Sequence, residues 1–187
     1  MSNNILNITS FQPRKDEKYL FDTNVLIKIF YPTLGSKKST PYIQLFDKLI
    51  AEKSTMIISS IHISEFINRC IRFQYDLYRD LHSNIKDFKH DYRETDDYRD
   101  SMNAILEIVT NDILSVFCKK NDNFQLMNDE YLFLYGFSYD FNDAFISEMS
   151  RQENCILITD DADYANFSDN LTIVTNNRNL LLFSSHR

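Results

Sequence analysis

Short apolar runs of strand length recur along this chain, and segments with helical periodicity separate them. The runs occupy residues 18–22, 55–59, 155–159 and 171–175. The run at 155–159, Cys-Ile-Leu-Ile-Thr, is apolar throughout, as in a strand buried on both faces of a parallel sheet. Between the runs, Val25, Leu26, Ile29 and Phe30 recur at helical spacing, and residues 42–52 continue as a second helix. Strands alternating with helices predict an α/β fold with parallel pairing and helices on both faces.

The middle of the chain predicts two long helices. The first starts near Ser60, taken as its cap, with an apolar stripe of Ile63, Phe66, Ile67, Cys70, Ile71, Leu77, Leu81, Ile85 and Phe88. The second covers about 97–118. The charged stretch 89–100 between them is expected to be a solvated turn. Residues 140–151 form a further helix, with Phe141, Ala144, Phe145 and Met149 inward and Asp143, Ser147 and Ser150 on a polar side. Residues 131–135 form a short helix or a buried segment. Residues 179–183 are apolar enough to pack, and residues 1–17 read as a loose lead-in. No internal repeat or linker divides the 187 residues, so one domain is expected, with an extended helical region at about 69–120.

Four acids fall where such a sheet gathers ligands, beyond the carboxyl ends of its strands. Asp22 ends the first run, Glu65 opens the segment after the second, and Asp161 follows the third. Asp143 stands in the first turn of the helix at 140–151. A cluster of carboxylates commonly holds Mg²⁺ or Mn²⁺ against a phosphate. Each acid also has a plain structural reading. Asp22 and Asn24 suit a helix cap, Glu65 pairs with Arg69 four residues on, and Asp140 suits the N-cap of its helix. Asp160, Asp161 and Asp163 suit a capping cluster after a strand. The single inferred sheet edge that all four share favours a common metal site.

The remaining composition excludes several classes. The net charge of −7 argues against gripping nucleic acid by bulk electrostatics. No apolar stretch approaches the ~20 residues of a membrane span, and the start lacks a signal-peptide pattern, so a cytoplasmic protein is expected. Cys70, Cys118 and Cys155 have no ligand spacing and read as reduced core residues.

Four motifs in order resemble the PIN-domain nucleases, a family that includes the VapC-type ribonuclease toxins. They are Asp22-Thr23-Asn24-Val25-Leu26, Ser64-Glu65-Phe66, Asn142-Asp143-Ala144-Phe145-Ile146 and Leu157-Ile158-Thr159-Asp160-Asp161-Ala162-Asp163. The resemblance implies a three-layer α/β/α sandwich and metal-dependent hydrolysis of RNA phosphodiesters. By position, Asp22, Glu65, Asp143 and Asp161 would form the catalytic and metal site on one or two Mg²⁺ or Mn²⁺ ions. Asp163 would be a supporting carboxylate, and Asn24 and Thr159 would orient ligands or metal-bound water. The departures are the long helical middle and Glu153-Asn154 where the family often has a glycine. Asn154 tolerates the left-handed turn required there.

Arg69 and Arg72, on the same helix face as Glu65, are candidate RNA-phosphate contacts, with Lys37 and Lys38 weaker ones. The expected setting is the toxin of a toxin–antitoxin pair. An antitoxin and a second copy of the chain are the candidate protein partners, and no membrane is involved. The alternatives are an RNA-processing or defence nuclease and a non-catalytic PIN-like binding module. A phosphoacceptor domain would need a paired early acid and a lysine after the last strand; this chain has a single Asp22 and Asn176-Asn177.

Overall fold

The structure is a computed structural model and describes residues 4–32, 40–133, 140–167 and 170–185. A six-stranded sheet runs in the order β1-β6-β5-β2-β3-β4, and every pairing is parallel. The strands are β1 (Asn4–Asn7), β2 (Lys18–Phe21), β3 (Thr55–Ile58), β4 (Cys118–Lys119), β5 (Cys155–Ile158) and β6 (Thr172–Thr175). The helices are α1 (Thr23–Phe30), α2 (Thr40–Ala51), α3 (Ser60–Leu81), α4 (Asp96–Glu107), α5 (Leu114–Val116), α6 (Asp129–Phe133), α7 (Phe141–Glu153) and α8 (Arg178–Ser185).

Alternation along the strands makes two cores. Tyr19, Phe21, Met56, Ile58, Ile156, Ile158 and Val174 face one side, against Val25 and Leu26 of α1, Tyr42, Leu45 and Leu49 of α2, and Phe66 and Cys70 of α3. Leu20, Ile57, Leu157 and Ile173 face the other, against Ala144, Phe145, Ile146 and Met149 of α7 and Leu180 of α8. The result is the expected three-layer sandwich. β2 and β5 lie at its centre, in register from Lys18↔Cys155 to Phe21↔Ile158. After β2 the chain moves to β3 on one side, and after β5 to β6 on the other. The β2/β5 boundary is therefore the switch point of the sheet, where α/β folds open a crevice.

Several expectations change. The lead-in contains β1, which pairs with β6 from Asn4↔Thr172 to Asn7↔Thr175, and Ile5, Ile8 and Phe11 are buried. α3 ends at Leu81, and Leu77 and Leu81 are exposed; Ile85 and Phe88 are buried but lie beyond the helix. The cap of α3 is Ser59 rather than Ser60. The helix expected at 97–118 changes character partway, because Ile108–Ile113 is π-helical. Ile105, Val109 and Ile113 all bury at a spacing of four, which drifts around an α-helix by about 40° a step; the wider π-turn offsets the drift. Cys118 belongs to edge strand β4 and is exposed, not a core residue. In α7, Ser147 and Ser150 are buried and Phe141 is exposed, because the helix is enclosed along most of its length.

The helical middle forms a pair. α3 packs on α4 and the turn before it through an aromatic cluster of Tyr75, Tyr78, Phe88, Tyr92 and Tyr98. Residues 89–95 of the charged stretch are the expected turn, although Tyr92 within it is fully buried, and 96–100 open α4 instead. Of residues 131–135, the first three end α6, and 134–135 lie outside the described residues. No helix among the described residues is long and apolar enough to cross a membrane.

The end of α2 yields a stability test. Ser54 N–H donates to Leu49 O at 3.0 Å and Lys53 N–H to Ile50 O at 3.1 Å, closing the helix through a left-handed residue. That residue is Lys53, at φ 53°, exposed and with a Cβ that disfavours the conformation. Lys53→Gly should stabilise the protein by about 0.5–1 kcal/mol, the steric relief less glycine's greater unfolded-state entropy. Urea unfolding midpoints read this directly, and a lowered midpoint would reject it.

Candidate active site

The β2–β5 ladder carries two acids to one edge. Asp22 N–H donates to Ile158 O at 2.9 Å, which extends the pairing one residue past β2. Asp22 then starts α1, its carbonyl accepting from Val25 and Leu26. Its carboxylate does not cap that helix. It accepts instead from Thr159 Oγ1 at 2.9 Å across the strand boundary, and only 1% of the residue is exposed. The same Thr159 hydroxyl accepts from Asp161 N–H at 3.0 Å, so one buried threonine fixes both acids.

Glu65 arrives from α3. His62 Nδ1 lies 3.4 Å from the Ser59 amide and 3.0 Å from Ser59 Oγ, fixing the first turn of that helix. Glu65, one turn further on, accepts from Thr23 Oγ1 at 3.0 Å and Asn142 Nδ2 at 3.4 Å, so it is tied to α1 and to α7. Its other oxygen meets Arg69 at 3.5 Å. Asp161 Oδ2 accepts from Asn24 Nδ2 at 3.3 Å and its Oδ1 from Asp163 N–H at 3.0 Å. Asp143 stands in the first turn of α7, whose N-cap is Asp140, as the plain reading expected.

The electrostatics show that these acids face one another. Burial pushes the Asp22 carboxyl up to about 6; the Thr159 hydrogen bond opposes this, and the charges of Glu65 and Asp161 add to it. Asp143 is pushed up to about 8 by burial, then by Asp22, Asp140 and Asp161. The buried Tyr164 hydroxyl lies beside Asp143 without a well-formed hydrogen bond to it, and its own ionisation is suppressed by burial and by Asp22 and Asp143. An all-oxygen donor set under mutual repulsion suits a hard divalent cation, which would offset the repulsion. Among the described residues, no group of three or more His, Cys, Asp or Glu side chains is placed to hold a metal ion.

The other expected site residues divide. Asn24 and Thr159 are inside the network. Asp163 is exposed, and its amide rather than its carboxylate touches Asp161. Arg69 is exposed on the rim, paired with Glu65. Arg72 is also exposed and stacks on the Phe88 ring at 3.8 Å, away from the acids. Lys37 and Lys38 lie outside the described residues. Thr23, Asn142 and Tyr164 were not singled out from the sequence, although each sits inside or directly beside one of the four motifs. Asp160 turns away from the cluster, pairing with Lys28 and lying 2.7 Å from the Tyr42 hydroxyl.

Comparison with known proteins agrees with this fold. The family model described as PIN domain matches residues 19–170. A chain in the crystal structure of VapBC2 from Rickettsia felis, bound to a DNA fragment from their promoter, superposes with a TM-score of 0.52 and 19% identity. The match covers 84% of this chain and 98% of that one. A search of curated proteins found no match.

The raised carboxyls make stability depend on pH in a definite direction. An aspartate ordinarily titrates near 3.8, so the folded protein holds protons that the unfolded chain has released. The stability they contribute is present in full below pH ~4 and is lost as pH rises through about 6 and then about 8. In chelator, the melting temperature of the native protein should fall from pH 5 to 8.5 more steeply than that of Asp143→Asn. Parallel curves in differential scanning fluorimetry would rule out the raised Asp143 pKa.

Proposed function

The chain belongs to the PIN-domain family, and from that premise we propose that it is a nuclease hydrolysing RNA phosphodiester bonds with Mg²⁺ or Mn²⁺. The observation that supports the proposal is that Asp22, Glu65, Asp143 and Asp161 are carried to one edge of the sheet, where burial raises the carboxyls of Asp22 and Asp143, with Glu65 and Asp161 adding to the first and Asp22, Asp140 and Asp161 to the second. Asp22, Asp143, Asp161 and Glu65 would hold the ion, with Asp163 in support. A divalent ion there would lower the pKa of an attacking water and offset the charge growing on the phosphate oxygens.

The chain's own residues set the stage for that chemistry. Thr159 fixes Asp22 and Asp161 relative to each other, and Asn24 holds the far oxygen of Asp161. Thr23 and Asn142 keep Glu65 turned toward the cleft. Asp143 holds its own proton near neutral pH and must give it up to ligate a cation. Arg69, paired with Glu65, is a cation available for a substrate phosphate. Its pair with Glu65 is at the surface, 45% exposed on the arginine side, and such pairs are weak enough to exchange for a phosphate. Arg72 presents its N–H edges to solvent while its face lies on Phe88, and would serve further along the strand of RNA.

The proposed setting is a toxin–antitoxin pair in the cytoplasm, with an antitoxin protein as partner. The support is the likeness in fold to a chain of a VapBC complex on promoter DNA, together with the motif resemblance. An RNA-processing or defence role uses the same chemistry with a different target.

Purified protein should cut an end-labelled mixed RNA pool with Mn²⁺ or Mg²⁺ and not with EDTA. Asp143→Asn should lower the rate by more than about 100-fold, beyond what residues that merely orient ligands contribute. Equal cutting by the variant would remove the site assignment, and absence of cutting by both would favour a binding module. Mn²⁺ affinity should also rise between pH 6 and 8, by up to about tenfold per unit for one released proton. Isothermal titration in two buffers of different ionisation enthalpy measures that proton; its absence would mean Asp143 does not ligate.

A further inference from the structure

A cavity opens at the carboxyl end of β6. Its volume is about 510 Å³, and Asp160, Asn176, Asn177, Arg178 and Asn179 line it. Sites for small ligands run to roughly 300–1,000 Å³, so it has room for a nucleotide unit. Two of the lining side chains are already committed. The Asp160 carboxylate pairs with Lys28 and the Tyr42 hydroxyl. Asn177 Nδ2 donates to Asp160 O at 2.7 Å, and its Oδ1 accepts from Asn179 N–H at 2.9 Å, capping α8 from within. The Asn179 amide is thus taken up within the helix start and is not what the cavity offers.

What the cavity offers is three side chains. Asn176, Arg178 and Asn179 make no side-chain hydrogen bond or ion pair among the described residues, although Asn176 and Asn179 are anchored through their backbone amides. An amide presents a donor and an acceptor together, the complement of a base edge. A guanidinium presents the fork that fits a phosphate. Lys28 neutralises the acid on the cavity wall, so that wall does not repel an anion. Position completes the argument. Asp160 lines the cavity with its carboxylate turned away from the cluster, and Asp161, the next residue, belongs to the cluster, so cavity and acids lie at the same carboxyl edge of the sheet. A larger cavity of about 550 Å³, lined by Arg14 and Arg151, sits at the amino ends of β5 and β6 and cannot share a substrate with the acids.

We propose that this cavity is the subsite for one nucleotide of the RNA next to the cleaved bond, with Arg178 holding a phosphate and Asn176 and Asn179 reading the base edge. The inference rests on the nuclease reading above. It makes the three residues determinants of sequence preference and affinity, separate from the acids that carry the chemistry. Single-stranded RNA is read in this way, through splayed bases and their edges.

Two measurements test it. In the first, fluorescein-labelled single-stranded RNA is bound to Asp143→Asn protein in EDTA and followed by anisotropy. Adding Arg178→Ala should weaken binding by about tenfold, and Arg178→Lys should restore part of it as a point charge. In the second, a randomised RNA pool is cut with Mn²⁺ and the ends are sequenced. Asn176→Ala with Asn179→Ala should flatten the base preference at one position beside the cut while cutting continues; both substitutions leave the anchoring backbone amides in place. If the native protein cuts and these variants bind and cut with the same affinity and preference, the subsite is overturned and the nuclease reading stands. If binding depends on Arg178 but the native protein cuts nothing, the nuclease reading falls and with it a subsite beside a cleaved bond, and the cavity is an RNA-binding site only. Neither binding nor cutting by the native protein overturns both.

Discussion

The hydrogen bond from the Asp22 amide to the Ile158 carbonyl holds the β2–β5 ladder closed at its last rung, and the site depends on it. It brings the ends of two strands that are 137 residues apart within reach of one threonine hydroxyl. From that rung Asp22 turns into α1 and Asp161 turns toward β6, and the two turns diverge because the sheet reverses its order there. The crevice is thus a consequence of strand order, and the acids occupy it because they are the first residues free of the ladder. α3 and α7 then only need to present one residue each. Thr23 and Asn142 hold Glu65 from two different helices, which makes the position of α3 over the sheet a matter of hydrogen bonding as well as packing.

Such a site opposes the fold that builds it. Burying Asp22 and Asp143 in the crevice raises their pKa values and removes stability at neutral pH, as Asp143 shows most strongly. The compensation is spread through the two cores. β5 is buried at every residue, and α7 is enclosed from Ala144 to Ser150, so the elements that carry Asp143 and Asp161 are among the most firmly packed. A rigid, enclosed support for a strained constellation is the usual arrangement where preorganised charge does chemistry.

Much of this was legible in the sequence, and the failures have physical causes. β2, β3, β5 and β6 announced themselves because central parallel strands are nearly continuous apolar runs. β1 did not, since Asn-Ile-Leu-Asn has two apolar residues between polar ends and no periodicity to read. β4 is two residues long, and its Cys118 continued a helical pattern that Phe117 had already left. The Ser147 and Ser150 positions misled because polarity was read as exposure, whereas Ser150 satisfies itself on Cys155 O and packs inward. The acids were found through motifs that cluster at strand ends. Their supports, Thr23 to Glu65 and Asn142 to Glu65, were not, because a hydrogen bond between residues 42 or 77 positions apart leaves no local signature. The cavity beyond β6 was invisible for the same reason: Asp160 and the asparagines meet only once β5 and β6 lie side by side.

The pairing of β1 with β6 has a bearing on how the chain comes into being. Asn4–Asn7 is synthesised long before its partner Thr172–Thr175. The sheet's central rung likewise waits for Cys155–Ile158. A nascent chain leaving the ribosome therefore carries Asp22 and Glu65 long before Asp143 and Asp161 exist to join them. Any activity that needs all four carboxylates stays silent until Asp161 has been made.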